Sequence, residues 1–241
     1  KNSYDYKRDL DSHMMKNTEW GAVAYLQHSK YGSMTSVRIN NNSANITGYA
    51  ATVEPTLGYA GGTSTAGNRI ESTVLGVDAT YSVNYLNSKS IVASTTNNYS
   101  GIYDMSGGAW EYVMGYTTGA TTVGGTSGIT SLYPNFFSDS AYSKYWDKYT
   151  STERTDYNNR ILGDATGEMG PFGSEKDSDN NTRYKSSWYK DHAWFANSSG
   201  NLLLRGGGWH DGTSTGVFAF NGNSGGTNTN ISFHIVLAPT K

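Results

Sequence analysis

The stretch Ser100–Gly115, "SGIYDMSGGAWEYVMG", predicts the centre of the fold. Gly107 and Gly108 mark a turn, because glycine adopts backbone conformations that other residues avoid. The segment that follows, Ala109–Met114, is apolar on both faces apart from Glu111. A strand of that kind is typical of the buried centre of a sheet. We therefore expect Ala109–Met114 to be a central strand.

Three more strands are predicted near the C-terminus, at residues 201–205 (NLLLR), 216–221 (GVFAFN) and 231–238 (ISFHIVLA). Alternation in the last of these places four apolar side chains on one face: Ile231, Phe233, Ile235 and Leu237. Two polar, glycine-rich loops, Gly206–Thr215 and Gly222–Asn230, connect the strands. A rigid sheet that presents such loops is a usual arrangement of a binding surface. Composition alone allows ordinary connecting loops equally well.

Two segments have helical spacing. His13–Ser29 carries an apolar stripe without proline, and Asp11 or Ser12 is a suitable N-cap. Ser140–Glu153 favours a second short helix with a packed aromatic face, formed by Tyr142, Tyr145, Trp146 and Tyr149.

The segment Ser174–Lys185, "SEKDSDNNTRYK", is predicted to be a solvated loop. Its residues 177–181 resemble the start of a calcium-binding loop. Thr182, however, stands where that loop needs glycine, and Trp188 stands where it needs glutamate. We therefore predict no calcium site there.

The composition favours a loop-rich protein exposed at a surface. Among 241 residues, 29 are glycine and 19 are tyrosine, and residues 32–100 combine Asn, Ser, Thr and Gly with short apolar islands. The 18 Lys and Arg residues nearly balance the 20 Asp and Glu residues, so no charge pattern points to nucleic acid or anionic lipid. No run of 18 apolar residues occurs, which predicts that no segment spans a membrane.

The length fits one large domain. We expect a single domain over residues 13–241, with a variable C-terminal region at about 205–239, preceded by a lead-in segment at residues 1–12 that follows a removed anchor. Contact with a membrane is expected only through that anchor, which the chain itself does not contain.

The residue types offer little for catalysis. Cysteine is absent, which excludes thiol chemistry. We expect no nucleophile elbow with a Gly-x-Ser-x-Gly motif. We expect no metal site either, because the five histidines are dispersed. Five carboxylates are scattered but are free to meet in space: Asp104, Glu111, Asp164, Glu168 and Asp211. We predict no catalytic residues and no cofactor.

Four segments together resemble a known family. Residues 101–113 (GIYDMSGGAWEYV), 205–209 (RGGGW) and 228–236 (NTNISFHIV) resemble motifs of the formylglycine-generating-enzyme-like branch of the C-type lectin fold. Residues 17–26 (NTEWGAVAYL) look like a degraded form of that family's helix. The four segments keep the family's order and rough spacing.

The resemblance implies an α+β fold, with two helices around a small twisted antiparallel sheet and much irregular chain. The N- and C-terminal parts meet in such a domain. The family's enzymes oxidise a substrate cysteine with copper held by their own cysteines. Because copper(I) needs soft thiolate ligands and this chain has none, that activity is unsupported. His234 stands where the family has arginine, and we expect it to be a hydrogen-bonded structural residue.

A narrower resemblance is to the variable proteins of diversity-generating retroelements, especially the pilin-like, surface-displayed members of gut bacteria. In that class a reverse transcriptase rewrites AAC codons, which cannot become Lys, Glu, Gln, Met or Trp codons. The chain contains 25 Lys, Glu, Gln and Met residues in 241, so the 34 residues of Gly206–Pro239 would hold three or four on average, yet they hold none. This absence agrees with the resemblance.

The resemblance assigns the variable, ligand-binding positions to Gly208, His210, Asp211, Ser214, Thr215, Asn221, Gly222, Asn223, Ser224, Gly226, Thr227, Asn228 and Thr229. It assigns to the scaffold Arg205, Trp209, Phe218, Phe220, Asn230, Ile231, Phe233 and Trp110. We therefore expect a non-enzymatic, extracellular binding protein displayed on a bacterial cell surface. Its unknown ligand would be a protein or glycan on another cell or phage, and not nucleic acid. The alternatives are an enzyme relative of the formylglycine-generating type and a structural pilin or fibre subunit.

Overall fold

The computed structural model describes residues 10–34, 94–96, 98, 100–117, 135–150, 160–166, 172–176, 180, 182–186, 190–196, 201–208, 210–226, 228 and 230–239. The fold is α+β, as predicted. Its elements are β1 (Leu10–Met14), α1 (Asn17–His28), β2 (Trp110–Thr117), a 3-10 helix (Ser140–Tyr145), β3 (Asp147–Tyr149), β4 (Phe172–Lys176), β5 (Thr182–Ser186), β6 (Leu202–Arg205), a second 3-10 helix (Gly212–Ser214), β7 (Phe220–Asn223), β8 (Ile231–Phe233) and β9 (Ile235–Pro239).

Strand β2 is the centre of a five-stranded sheet, which confirms the central strand predicted at Ala109–Met114. On one edge β2 pairs antiparallel with β6, and β6 pairs antiparallel with β7. On its other edge β2 pairs in parallel with β3 and with β8. The expectation of a purely antiparallel sheet is therefore wrong. Both parallel partners arrive by long connections from distant parts of the chain, which no local pattern reveals.

Helix α1 packs its buried Trp20 and Ala24 into the main core. There they lie beside three sheet residues, Val113, Leu203 and Phe220. It begins at Asn17 rather than His13, because the Glu19 carboxylate accepts a hydrogen bond from the Lys16 main-chain N–H at 2.8 Å. A glutamate three residues into a helix commonly satisfies a free N–H in this way.

The predicted cap at Asp11 or Ser12 is wrong, because both residues lie in β1. Strand β1 pairs antiparallel with β9, where Asp11 faces Ala238 and Ser12 faces Leu237. The N- and C-terminal parts of the described chain thus meet, as the resemblance implied. Residues 10–12 are part of this sheet, which corrects the lead-in segment predicted at residues 1–12 for these three residues.

The predicted single strand at 231–238 is two strands that break at His234. β8 belongs to the sheet of β2, whereas β9 pairs with β1, so the chain passes from one sheet to another at this residue. The apolar side chains of this segment are open to solvent at Phe233 and Leu237, each 50% exposed.

The predicted helix at Ser140–Glu153 is wrong over residues 146–150, and residues 151–153 lie outside the described residues. Its start is a 3-10 helix that the Asp139 carboxylate caps by accepting from the Ala141 N–H at 2.8 Å. The chain then extends into β3, where the Tyr149 side chain is buried in the core. Tertiary pairing with β2 therefore overrides the helical spacing of the tyrosines.

Two further boundaries differ from the sequence prediction. The strand expected at 216–221 begins only at Phe220, because Gly216–Ala219 is a turn closed by a hydrogen bond between its ends. The loop expected at Ser174–Lys185 is mostly the antiparallel hairpin of β4 and β5. Of its calcium-like start, residues 177–179 and 181 lie outside the described residues. In the described part of the chain, no helix has the length and apolar character needed to cross a membrane.

Candidate functional site

The face of the five-stranded sheet that points away from α1 carries one continuous row of side chains. Strand pairing places Phe233 beside Tyr112, Tyr112 beside Leu204, and Leu204 beside Asn221. We call this surface the outer face; its described members are Trp110, Tyr112, Leu202, Leu204, Asn221, Asn223, Ile231 and Phe233. None of these side chains is charged. Trp110, Leu202 and Leu204 are buried, so the part of this face within reach of a ligand is the half-exposed Phe233 ring and its half-buried neighbours.

Beyond β7 the outer face continues onto residues that the sequence did not single out. Ala193 bridges Phe220, and the Trp194 N–H donates to the Phe220 carbonyl at 3.0 Å. The rings of Trp110 and His192 lie 5.8 Å apart between centroids, and those of His192 and Trp194 lie 6.2 Å apart. The ring of Tyr184 in β5 lies next to that of Trp194, with 6.4 Å between the centroids. Only the tertiary bridge to β7 brings these rings next to the predicted site.

The first loop beside this face, Gly206–Ala219, is closed by main-chain hydrogen bonds. The Gly206 N–H donates to the Ala219 carbonyl at 3.2 Å. The Gly206 carbonyl accepts from the N–H groups of Gly107 and Gly216, both at 3.1 Å. Gly206 has φ +85°, a left-handed conformation that favours glycine. The loop's shape thus depends on its backbone and on the turn that precedes β2.

Three buried side chains from outside the first loop bind its main chain. The Trp20 indole Nε1–H donates to the Val217 carbonyl at 2.7 Å, and Arg205 Nη2 donates to the same carbonyl at 3.3 Å. The Asp191 carboxylate accepts from the Phe218 N–H at 3.2 Å. Each bond ends on a backbone atom of the loop, so none depends on a loop side chain.

Arg205 forms the buried centre of this anchor. Its side chain is fully buried, which lowers the pKa of Arg205 to about 10 although Asp164 and Asp191 lie near enough to favour its charge. The guanidinium carbon lies 5.8 Å from the Trp20 ring and 5.6 Å from the Phe220 ring, within cation–π range. Burial also raises the pKa of Asp191 to about 8.

The second loop, Ser224–Asn230, is held by Tyr112. The Tyr112 hydroxyl lies 2.6 Å from Asn223 Oδ1 and 2.9 Å from the Gly226 carbonyl oxygen. Asn223 Oδ1 also accepts from the Gly225 N–H at 3.1 Å. Burial raises the pKa of Tyr112 to about 12, so the hydroxyl keeps its proton at neutral pH. The loop is therefore tied to the central strand of the sheet.

The structure separates the thirteen candidate variable positions into groups. Four are exposed: His210, Ser224, Gly226 and Asn228. Five are half-buried: Asp211, Ser214, Asn221, Gly222 and Asn223. Two are buried: Gly208 and Thr215. Thr227 and Thr229 lie outside the described residues.

Two of these positions do not reach the surface as expected. Thr215 is only 1% exposed, and its hydroxyl donates to the Gly212 carbonyl at 2.8 Å. A Cβ atom built on Gly208 would lie 2.9 Å from Trp110 Cδ1, so the site needs glycine or a shifted ring. Their assignment as direct ligand contacts is therefore corrected to a packing role.

Most of the described residues assigned to the scaffold are buried or half-buried. Arg205, Trp110, Phe218 and Phe220 are buried, while Asn230 and Ile231 are half-buried and Trp209 lies outside the described residues. Phe233 is the exception, because its ring projects from the outer face. Its place beside Tyr112 makes it a surface residue of the site.

The exposed His210 lies beside Asp211, with 3.5 Å between Nε2 and Oδ1. The other oxygen of Asp211 accepts from the Gly208 N–H at 2.8 Å. Asp211 therefore shapes the first loop besides presenting a charge at its tip.

A Gly-x-Ser-x-Gly pattern does occur at residues 212–216 (GTSTG), which corrects the expectation of no such motif. Ser214 ends a 3-10 helix in the middle of the first loop, whereas a nucleophile elbow places its serine between a strand and a helix. The geometry of an elbow is therefore missing.

The described carboxylates among those predicted have structural partners, and two of them lie near each other: burial raises the pKa of Glu111, and the charge of Asp104 raises it further. Asp164 accepts from the Tyr149 hydroxyl at 2.8 Å and from the Thr166 hydroxyl at 2.6 Å, beneath the sheet. Glu111 is buried with Oε2 3.5 Å from His234 Nδ1. His234 Nε2 lies 3.0 Å from the Tyr103 carbonyl, which confirms its hydrogen-bonded structural role. Glu168 lies outside the described residues.

The candidate site is thus an uncharged outer face bordered by two loops that are anchored through their main chains. Within the described ranges, His, Asp and Glu side chains do not gather in threes as ligands for a metal ion. No protein-family model and no curated protein sequence matches the chain.

Proposed function

We propose that the protein is a surface-displayed receptor that binds its ligand non-covalently through the outer face and the two loops. The observation that carries this proposal is the way in which the loops are held. Trp20, Asp191, Arg205 and Tyr112 bind loop main-chain atoms, and none of these four is a candidate variable position. A side chain on the loops can therefore be replaced while these bonds remain, which is what a diversified recognition site requires.

We infer a ligand of low charge, a protein or a glycan on another cell or phage. The outer face combines the half-exposed Phe233 ring with the amides of Asn221 and Asn223 and has no charged side chain of its own. Aromatic rings supply contact area, and amides supply adaptable hydrogen bonds. Nucleic acid fits this surface poorly, because phosphate binding relies on lysine and arginine.

The same motifs support the proposal of a C-type lectin-like fold of the formylglycine-generating-enzyme-like branch. The four segments that resemble the family fall on α1, on the turn and strand β2, at the end of β6, and on β8 and β9. The pairing of β1 with β9 also agrees with that fold. An experimental structure compared with members of the branch would test this assignment; a different strand order would overturn it.

A fibre subunit is the second candidate function, and one observation favours it. Phe233 and Leu237 are large apolar side chains that are each half-exposed on consecutive strands. Such residues are common where copies of a chain assemble. Sedimentation at increasing protein concentration distinguishes the two: a receptor stays at one size, whereas a fibre subunit associates, and association is lost in Phe233→Ser.

The decisive test of the receptor proposal is to sequence the 3′ end of this gene and its flanking DNA in several related isolates. We expect substitutions to cluster at the exposed and half-buried candidate positions, with a near-copy carrying AAC codons beside a reverse-transcriptase gene. An invariant 3′ end without such a copy would overturn diversification and leave a module with a fixed ligand.

A further inference from the structure

Tyr112 differs from the other loop anchors because its hydroxyl faces two acceptors of different kinds. One is the side-chain oxygen of Asn223 at 2.6 Å, and the other is the main-chain oxygen of Gly226 at 2.9 Å. A hydroxyl has one proton to donate, so the two acceptors share it. Asn223 is a candidate variable position, whereas a main-chain carbonyl is present whatever residue stands there.

The geometry assigns to Tyr112 the role of a positioning residue that sets the conformation of Asn223–Gly226 independently of the side chain at position 223. When a substitution removes the Asn223 acceptor, the hydroxyl donates fully to the Gly226 carbonyl and the loop keeps its place over β2. The part of this inference that concerns natural variants rests on the proposed function. The anchoring itself does not.

The Tyr112 ring is half-buried, although its hydrogen bond to the Gly226 carbonyl lies at an exposed position. Tyr112 packs beside Trp110, Leu204 and Ala219, so its ring is held in place on the central strand. Because the ring is fixed, the hydroxyl is presented at one point over the loop. A half-buried hydroxyl that loses its acceptors is also costly, which favours loop conformations that keep one acceptor within reach.

The competing explanation is that Asn223 itself holds the loop. Its Oδ1 accepts from the Gly225 N–H at 3.1 Å, a short-range bond that closes a turn without help from Tyr112. The two explanations differ in what happens at Gly226 when either side chain is truncated. Measurements at Gly226 therefore separate them.

The experiment compares Tyr112→Phe, Asn223→Ala and the matched control Tyr116→Phe by solution NMR of the intact chain without ligand. Tyr116 lies on the same strand, and its hydroxyl also donates to a main-chain carbonyl, that of Phe137 at 3.1 Å. The readouts are the Gly226 carbonyl carbon shift, which responds to loss of a donor, and the contact between the Tyr112 ring and the Gly226 α-protons. Amide exchange of residues 224–226 is measured with them, and exchange within β2 and β6 reports global stability.

In Tyr112→Phe we expect the Gly226 carbonyl shift to move upfield, the ring contact to weaken, and loop amides to exchange about fivefold to tenfold faster, as loss of one hydrogen bond predicts. In Asn223→Ala the ring contact should persist, and in Tyr116→Phe all three loop readouts should stay as in the wild type. A lost ring contact in Asn223→Ala, or unchanged Gly226 signals in Tyr112→Phe, would overturn the assignment. Neither outcome depends on the gene sequencing that tests the receptor proposal, so the two failures are distinguishable.

Discussion

The Asp191 carboxylate accepts a hydrogen bond from the Phe218 main-chain N–H at 3.2 Å and so joins the segment before β6 to the loop after it. The carboxylate occupies the space that a side chain at Gly216 would need, which explains a glycine at that position. Asp191 lies outside every motif that predicted the site. It is nevertheless one of the groups that determine the shape of the first loop.

Asp191→Asn should remove part of the protein's pH dependence. Burial raises the pKa of Asp191 from 3.8 to about 8, so from about pH 4 to about pH 8 the folded state retains a proton that the unfolded state has released. The free energy of unfolding contributed by this group therefore falls as pH rises through that window. Urea unfolding at pH 5 and pH 8 should show a smaller loss in Asp191→Asn than in the wild type, by at least about 1 kcal/mol. Equal losses in both proteins would contradict the prediction.

His234 and Glu111 should add a second pH dependence. Burial lowers the pKa of His234, whereas the contacts with Glu111 and with the Tyr103 carbonyl raise it. The raising effects are together the larger, so the pKa of His234 lies above its usual value. The stability that protonation of His234 contributes is thus fully present below about pH 6.5 and is lost as pH rises through the raised pKa, while the raised pKa of the buried Glu111 adds a loss that begins at lower pH. His234→Arg, which carries its charge at every pH used, should lose less stability between pH 6 and pH 8 than the wild type does, and the loss that remains should be the one contributed by Asp191.

The matched variant for that prediction is His234→Gln, which leaves the buried Glu111 without a cationic partner. It should be destabilised more at pH 6 than at pH 8, on the order of 1–3 kcal/mol at the lower pH. The same loss at both values would mean that packing, and not the charge of His234, determines its contribution.

Phe220 and Phe233 are both phenylalanines, and they lie on opposite faces of the same sheet. Phe220 is fully buried, so Phe220→Ala should lower the free energy of unfolding by about 3–5 kcal/mol. Phe233 is 50% exposed, so Phe233→Ala should cost less than about 1 kcal/mol. Chemical denaturation of the two variants measures this difference directly. A large loss in Phe233→Ala would show that its ring is covered in solution, as a fibre contact would require.

The candidate variable positions should differ in tolerance according to their contacts. His210→Ala and Ser224→Ala should change stability by less than about 0.5 kcal/mol, because both side chains are exposed. Asp211→Ala should cost about 1 kcal/mol, because the Gly208 N–H loses its acceptor. Gly208→Ala should also destabilise, since its Cβ would crowd Trp110. Thermal unfolding of these single variants measures the order of their stability losses. A destabilised His210→Ala would contradict the predicted order.

Sequence patterns were reliable where one local signal agreed with the tertiary environment. The Gly107–Gly108 turn and the apolar run after it predicted the central strand β2, and the run of three leucines predicted β6. Both strands are buried, so an apolar pattern follows directly from their place in the fold.

The sequence patterns failed where pairing between two segments that are distant in the chain determines the secondary structure. The alternation around Phe233 is real, but it cannot indicate that the chain leaves one sheet for another at His234. The tyrosines of Ser140–Glu153 have helical spacing, yet pairing with β2 draws the last of them into a strand. Likewise, Tyr184 and Trp194 reach the outer face only through the bridge between Ala193 and Phe220.

The α+β class came from the family resemblance, whereas the sequence by itself determined the central strand, the absence of thiol chemistry and the group of small polar residues that makes up the candidate loops. Those properties depend on composition and on neighbours along the chain. Tertiary structure decided which of the loop residues reach solvent, and that Trp20, Tyr112, Asp191 and Arg205 hold the loops. The physical reason is that a buried polar group needs a hydrogen-bond partner, which can come from any part of the chain. Trp20 and Val217 are 197 residues apart in the chain, yet the Trp20 Nε1 atom lies 2.7 Å from the Val217 carbonyl oxygen.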